Sequence, residues 1–134
     1  MLTVSWTTAH PAPPTHTCTV IAARLPLRSS RAIFASVIWA WRIRRHLADT
    51  PGVVGHALAL EMAGPALWTV SAWNSRTHLT AFARSDLHQG AMAALRPKLR
   101  PATLAVWSCP ASELPARWPD VRRRIAAGTD RTNT

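Results

Sequence analysis

Apolar and polar positions along the chain change period several times, and each change marks a boundary between elements. Thr17 to Leu27 carries β-branched and apolar residues (Thr17, Thr19, Val20, Ile21, Leu25) up to Pro26, the pattern of a first strand. From Ile33 the spacing becomes helical: Ile33, Phe34, Val37, Ile38 and Trp41 recur at steps of three and four, with Arg31, Arg42 and Arg45 opposite. Ser29 or Ser30 is suited to cap this helix. The apolar stripe is expected to face the core, with Trp39 and Trp41 as packing residues. Asp49-Thr50-Pro51-Gly52 breaks the helix, and Val53 to Glu61 has strand composition. Ala63-Gly64-Pro65 turns the chain into Leu67–Trp73, whose alternation predicts a hairpin with the preceding strand.

Asn74 is a fitting N-cap for a second helix through Arg84, with Leu79, Phe82 and Ala83 inward. A break near Ser85 follows, where Asp86 and Gln89 have the spacing of a second capping box. The continuation from Leu87 to Leu95 sets His88, Met92 and Leu95 on one face, and Pro97 ends it. Thr103 to Cys109 predicts a fourth strand. Leu114 to Ala127 predicts a terminal helix, with Trp118 packing and Arg122-Arg123-Arg124 in solvent.

The order is therefore β-α-β-β-α-β with a helical tail, an α+β chain of the ferredoxin-like, split βαβ kind. Residues 17–128 form the domain. Residues 1–16 contain His10-Pro11-Ala12-Pro13-Pro14 and are expected to be a flexible lead-in outside the fold; residues 129–134 are expected to be a flexible tail. The strands carry apolar or small residues on both alternating sets, while the helices cover one face. A second copy is therefore expected on the other face, making a homodimer.

Composition adjusts this picture modestly. Seven Trp with two Phe and no Tyr concentrate the aromatic surface in side chains that want burial and an N–H acceptor. The net charge of +10 comes from fifteen Arg and one Lys spread from Arg24 to Arg131, so nucleic acid is not the expected partner. Cys18 and Cys109 form no CxxC motif and have no histidine at ligand spacing; both are expected as reduced thiols, with no metal site. The most apolar window, Ala32 to Trp41, is about half of what a bilayer span requires. No membrane partner and a cytoplasmic location are expected. Ser/His/Asp elbows, phosphate loops and paired-carboxylate signatures do not occur, which sets hydrolases and kinases aside.

Thr69-Val70-Ser71-Ala72-Trp73-Asn74-Ser75, followed by Phe82-Ala83-Arg84-Ser85-Asp86-Leu87-His88, resembles the antibiotic biosynthesis monooxygenase superfamily; Pro51-Gly52-Val53-Val54-Gly55 is similar to that superfamily's approach to strand two. The resemblance spans residues 17–110. It implies a dimeric α/β barrel with a pocket between sheet and helices in each subunit. In related proteins that pocket takes polycyclic aromatic substrates oxidised without a cofactor, haem, or carotenoid. The haem-ligating histidine of the haem-degrading members falls near Met92, and this chain's imidazole lies one turn earlier, at His88. The cofactor expectation is accordingly none, or haem held by His88.

His88 is the catalytic candidate, since an imidazole near neutral pH can take a proton from a phenolic or enolic substrate. Trp73, Phe82 and Met92 are expected to wall the pocket for a flat hydrophobic small molecule, with Trp68 and Trp107 as weaker contacts. His56 and His78 read as structural. Two functions follow: a cofactor-independent or haem-linked monooxygenase, or a non-catalytic dimeric barrel that binds a hydrophobic ligand or haem or assists another enzyme.

Overall fold

The computed structural model describes residues 1–127 and, beyond them, only the backbone of Asp130–Arg131; the remainder of the expected tail, 129–134, lies outside the described residues. The elements run β1 (Leu2–Thr8), β2 (Thr17–Pro26), α1 (Ala32–Leu47), β3 (Val53–Glu61), β4 (Ala66–Trp73), α2 (Arg76–Ala83), α3 (Asp86–Leu95), β5 (Thr103–Pro110), α4 (Trp118–Ala126) and the two-residue β6 (Asp130–Arg131). The sheet order is β1-β3-β4-β2-β5-β6, with each neighbouring pair antiparallel. Its inner strands β3-β4-β2-β5 are the split βαβ arrangement that the sequence predicts, so the fold is α+β and ferredoxin-like.

Alternation along the central strand β2 decides what each sheet face carries. Cys18, Val20 and Ala22 point to one face together with Val70, Ala72 and Ala105, while Ile21 points to the other with Trp73. Both faces are buried, as expected, but the cover on the first is the chain's own. Val121 and Ile125, four residues apart on α4, pack on that face with Leu114, Trp118, Trp6 and Ala12. The expected reason for pairing, an open sheet face, is therefore absent: the C-terminal helix and the N-terminal segment fill the place assigned to a second copy. Cys18 and Cys109 oppose one another there across β2 and β5, and both are free thiols.

Residues 1–16, expected outside the fold on their prolines, are part of it. Leu2–Thr8 pairs antiparallel with β3, and the Trp6 indole lies so close over Gly55 that a Cβ there would be 2.5 Å from the ring. Proline stops a strand only where it stands, at His10-Pro11, and leaves the run before it free to pair.

Three caps, one helix start and one face differ from expectation. The residue before α1 is Arg31, with no side-chain cap, so neither Ser29 nor Ser30 serves. Ser75 rather than Asn74 caps α2, and Ser85 itself, rather than an Asp86–Gln89 box, caps α3. The terminal helix begins at Trp118, with Pro119 in its first turn, instead of at Leu114. Most consequential, α1 faces the opposite way. Its buried residues are Ala32, Ser36, Ala40 and Leu47, whereas Phe34, Val37, Ile38 and Trp41 are exposed. The inward side chains are mostly small, and the Ser36 hydroxyl is satisfied by donating to the Ile33 carbonyl at 2.9 Å. No helix among the described residues is long and apolar enough to cross a membrane.

Candidate functional site

The site is built around the break between α2 and α3. Ser75 and Ser85 both take extended backbone conformations, and each hydroxyl accepts the backbone N–H three residues on, from His78 and from His88, at 3.3 Å. The second cap stops one helix and starts the next within two residues. The freed carbonyl of Ala83, at the end of α2, then accepts from His88 Nδ1 at 3.1 Å and from Gln89 Nε2 at 2.7 Å.

That carbonyl fixes the chemistry of His88. A carbonyl oxygen can only accept, so Nδ1 carries the proton and the ring's lone pair is on Nε2. Burial pushes the imidazole below its usual value, and the Ala83 carbonyl opposes this only in part. His88 is therefore neutral near pH 7, with Nε2 as a base.

Two rings carry the imidazole to the sheet. Phe82 meets His88 edge-on, with centroids 5.2 Å apart and planes at 63°, and Trp73 meets Phe82 at 5.2 Å and 31°. Trp73 is wholly buried, its Nε1 donating to Ser71 Oγ at 2.9 Å. Below it lie Leu47, Val53, Ile21 and Ile43. The helix above is lightly seated, since α2 has no fully buried residue.

Trp73, Phe82 and His88 thus come together as the sequence suggests. Met92 does not join them: it packs with Leu27, Ala32, Leu95 and Trp39 in a separate cluster between α1 and α3. Trp68 and Trp107 lie on the other face of the sheet, under α4. Trp68 Nε1 donates to Glu61 at 3.0 Å, with Arg24 5.6 Å from the ring; Trp107 lies beneath the Arg124 guanidinium at 4.4 Å. The Trp68 N–H holds the Glu61 carboxyl below its usual range, aided by Arg24 and opposed by burial. Of the candidate residues Trp68 lines a cavity, one of about 560 Å³ shared with Arg24, Glu61, Arg122 and Ile125. A smaller one of about 150 Å³ lies between Trp6, Pro11, Val54 and Leu114.

Sequence reasoning misses Ser85 and Ala83 as the groups that aim His88. The signal is present, because a serine ahead of an acidic first turn is an N-cap pattern, but the capping-box spacing places the cap one residue late. His56, read as structural, is buried on β3, where desolvation, and to a lesser extent the charge of Arg44, pushes it below its usual value.

Haem does not fit this arrangement. The Nε2 lone pair has the right chemistry, yet a macrocycle needs a slot beside it, and there Phe82 packs on both His88 and Trp73, with Trp73 fully covered.

No family model matches the sequence, and no curated protein matches it. Solved structures do match the fold. An antibiotic biosynthesis monooxygenase superposes with a TM-score of 0.61 at 10% identity, over 66% of this chain and 95% of that one. SnoaB, a cofactor-independent oxygenase from Streptomyces nogalater, gives 0.56 at 17% identity, over 76% and 97%. A dimeric ferredoxin-like protein from Thermobifida fusca gives 0.62 at 12%, over 75% and 98%. The fold is accordingly the ferredoxin-like one that these structures share.

Proposed function

We propose that this chain is a monooxygenase-like protein that takes a flat hydrophobic substrate with an acidic C–H or O–H group beneath α2, against Phe82 and Trp73. The single observation that carries the reading is His88: its Nδ1 is committed to Ala83, its ring is neutral, and Nε2 is left as the proton acceptor. Because α2 buries no residue completely, it is the layer that lifts to admit a ring beside Trp73. His88 removes the proton, and the resulting carbanion is electron-rich enough to reduce dioxygen. In balance, an activated methylene and dioxygen, one molecule of each, give a ketone carbonyl and one water: one oxygen atom enters the product, and the other leaves with both methylene hydrogens. The protein supplies a dry slot and a base. Pairing of two copies belongs to this proposal on the ground of the dimeric neighbours, and sedimentation at micromolar concentration should give twice the chain mass.

Anthrone, a tricyclic ketone with an acidic methylene, is a suitable probe. Under air the protein should accelerate its oxidation, and His88→Gln should lower turnover by roughly 10²- to 10⁴-fold with little change in KM. Equal turnover in a folded His88→Gln variant would leave His88 a structural residue of the helix break. One observation favours that second reading, a non-catalytic barrel: the cavities described above lie on the α4 face, and Trp73 is completely covered.

A further inference from the structure

The strongest feature that the site leaves unused is the outward ridge of α1. Phe34 is 79% exposed, Ile38 and Trp41 are each 54% exposed, and Val37 is 45% exposed. An apolar group of this size on one exposed helix face marks an interaction surface. Arg31, Phe34, Ile38, Trp41 and Arg45 follow one another at steps of three, four, three and four, so they form a single line along the helix, and each end of the line is an exposed arginine. Arg42 flanks it, with its guanidinium 4.9 Å from the Trp39 ring. Arg44 is directed sideways, donating to Thr7 on β1 at 3.1 Å and lying 5.4 Å from the Trp41 ring, which links the ridge to the sheet. No acidic residue precedes Asp49 in the chain.

We propose that α1 docks the protein on an anionic phospholipid surface, with Phe34, Ile38 and Trp41 entering the headgroup–acyl boundary and Arg31, Arg42 and Arg45 on lipid phosphates. Charge decides the occupant. A second copy seated antiparallel on the same ridge would bring the Arg44–Arg45 end of one helix to the Arg31 end of the other, between chains of net charge +10. One ridge of four apolar side chains is also small against the roughly 1,200 Å² that a stable pair buries. A bilayer meets both objections: it is negative, it deforms around a convex ridge, and its boundary favours tryptophan and arginine together. The expectation of no membrane partner rests on span length, which a helix lying in the surface does not need.

The test is flotation of the full chain with vesicles of phosphatidylglycerol and phosphatidylcholine, 3:7 by composition, against vesicles of phosphatidylcholine alone. The protein should float with the first and not the second. Phe34→Ser/Ile38→Ser, which keeps every charge, should lower the apparent affinity at least 10-fold, as should Arg31→Gln/Arg45→Gln. All four side chains are exposed, so both variants should fold; Ile38→Asp alone gives an independent third reading of the same face. If the apolar variants float as well as the parent, adsorption of a basic protein explains the result and the proposal fails. If the parent does not float, but sediments as a dimer that Phe34→Ser/Ile38→Ser dissociates, the ridge belongs to a second copy and the proposal likewise fails.

Discussion

The two faces of the sheet are covered by different means. Under α4, large side chains are buried and polar tips are accounted for: Val121 is fully buried, Trp68 has its carboxylate, Trp107 its guanidinium, and Trp6 crosses Gly55. Under α1, α2 and α3, the cover is looser. There α2 contributes no buried residue, α1 presents alanine and serine to the sheet and turns its large side chains outward, and a base is suspended from one carbonyl at a helix break. The first face holds the domain together; the second leaves groups available for something else. The two covers of a single sheet are thereby separated in kind.

Three measurements probe that separation, in falling order of effect. Val121→Asp places a carboxylate among Cys18, Val20, Val70 and Ala105, so it should destabilise the chain by more than about 4 kcal/mol and leave it unfolded at 37 °C by circular dichroism. Trp6→Ala should cost about 2 to 3 kcal/mol in urea unfolding, because it strips the cover from Gly55 and one wall from the smaller cavity; a loss under about 0.5 kcal/mol would return the N-terminal segment to the status of a lead-in. The looser face should show a smaller, pH-dependent effect. His88 and His56 both have folded-state values below the usual 6.5, mainly through burial, so the unfolded chain binds more protons once pH drops below that value. Stability contributed by their neutral forms is complete above about pH 6.5 and is lost as pH falls through the lower folded values. The thermal midpoint should therefore decrease between pH 7.5 and 5.5, and a variant with asparagine at both positions should show a shallower decrease. A steeper one would mean that other groups dominate.

Much of the fold is legible in the sequence because strand alternation and turn chemistry are local. Val53–Glu61 agrees in both boundaries, and Ala63-Gly64-Pro65 turns the chain where expected. What local pattern cannot supply is direction. A stripe at steps of three and four reports that a helix has two unlike faces, and nothing in the spacing says that the apolar one is inward; Ala32, Ser36 and Ala40, on the side that is buried, carry the opposite information in their size. The N-terminal strand is legible too, in the alternation of Leu2, Val4 and Trp6 with Thr3, Ser5 and Thr7, but the prolines further on draw attention away from it. Of the site, His88, Phe82 and Trp73 are within reach because they follow one strand–helix–helix path. Met92 is not, since four residues along a helix share a side but need not share neighbours once a third element, here α1, comes between.

The pairing of β1 with β3 has a consequence for how the chain is born. Its first strand has no partner until Val53–Glu61 has been made, far later in synthesis, so on the ribosome Leu2–Thr8 must emerge and wait as an open edge. Docking of Trp6 on Gly55 thus waits only for β3, ahead of every pairing that needs β4 or β5, and a pause in translation before β3 exposes the strand for longer to chaperones and to other chains.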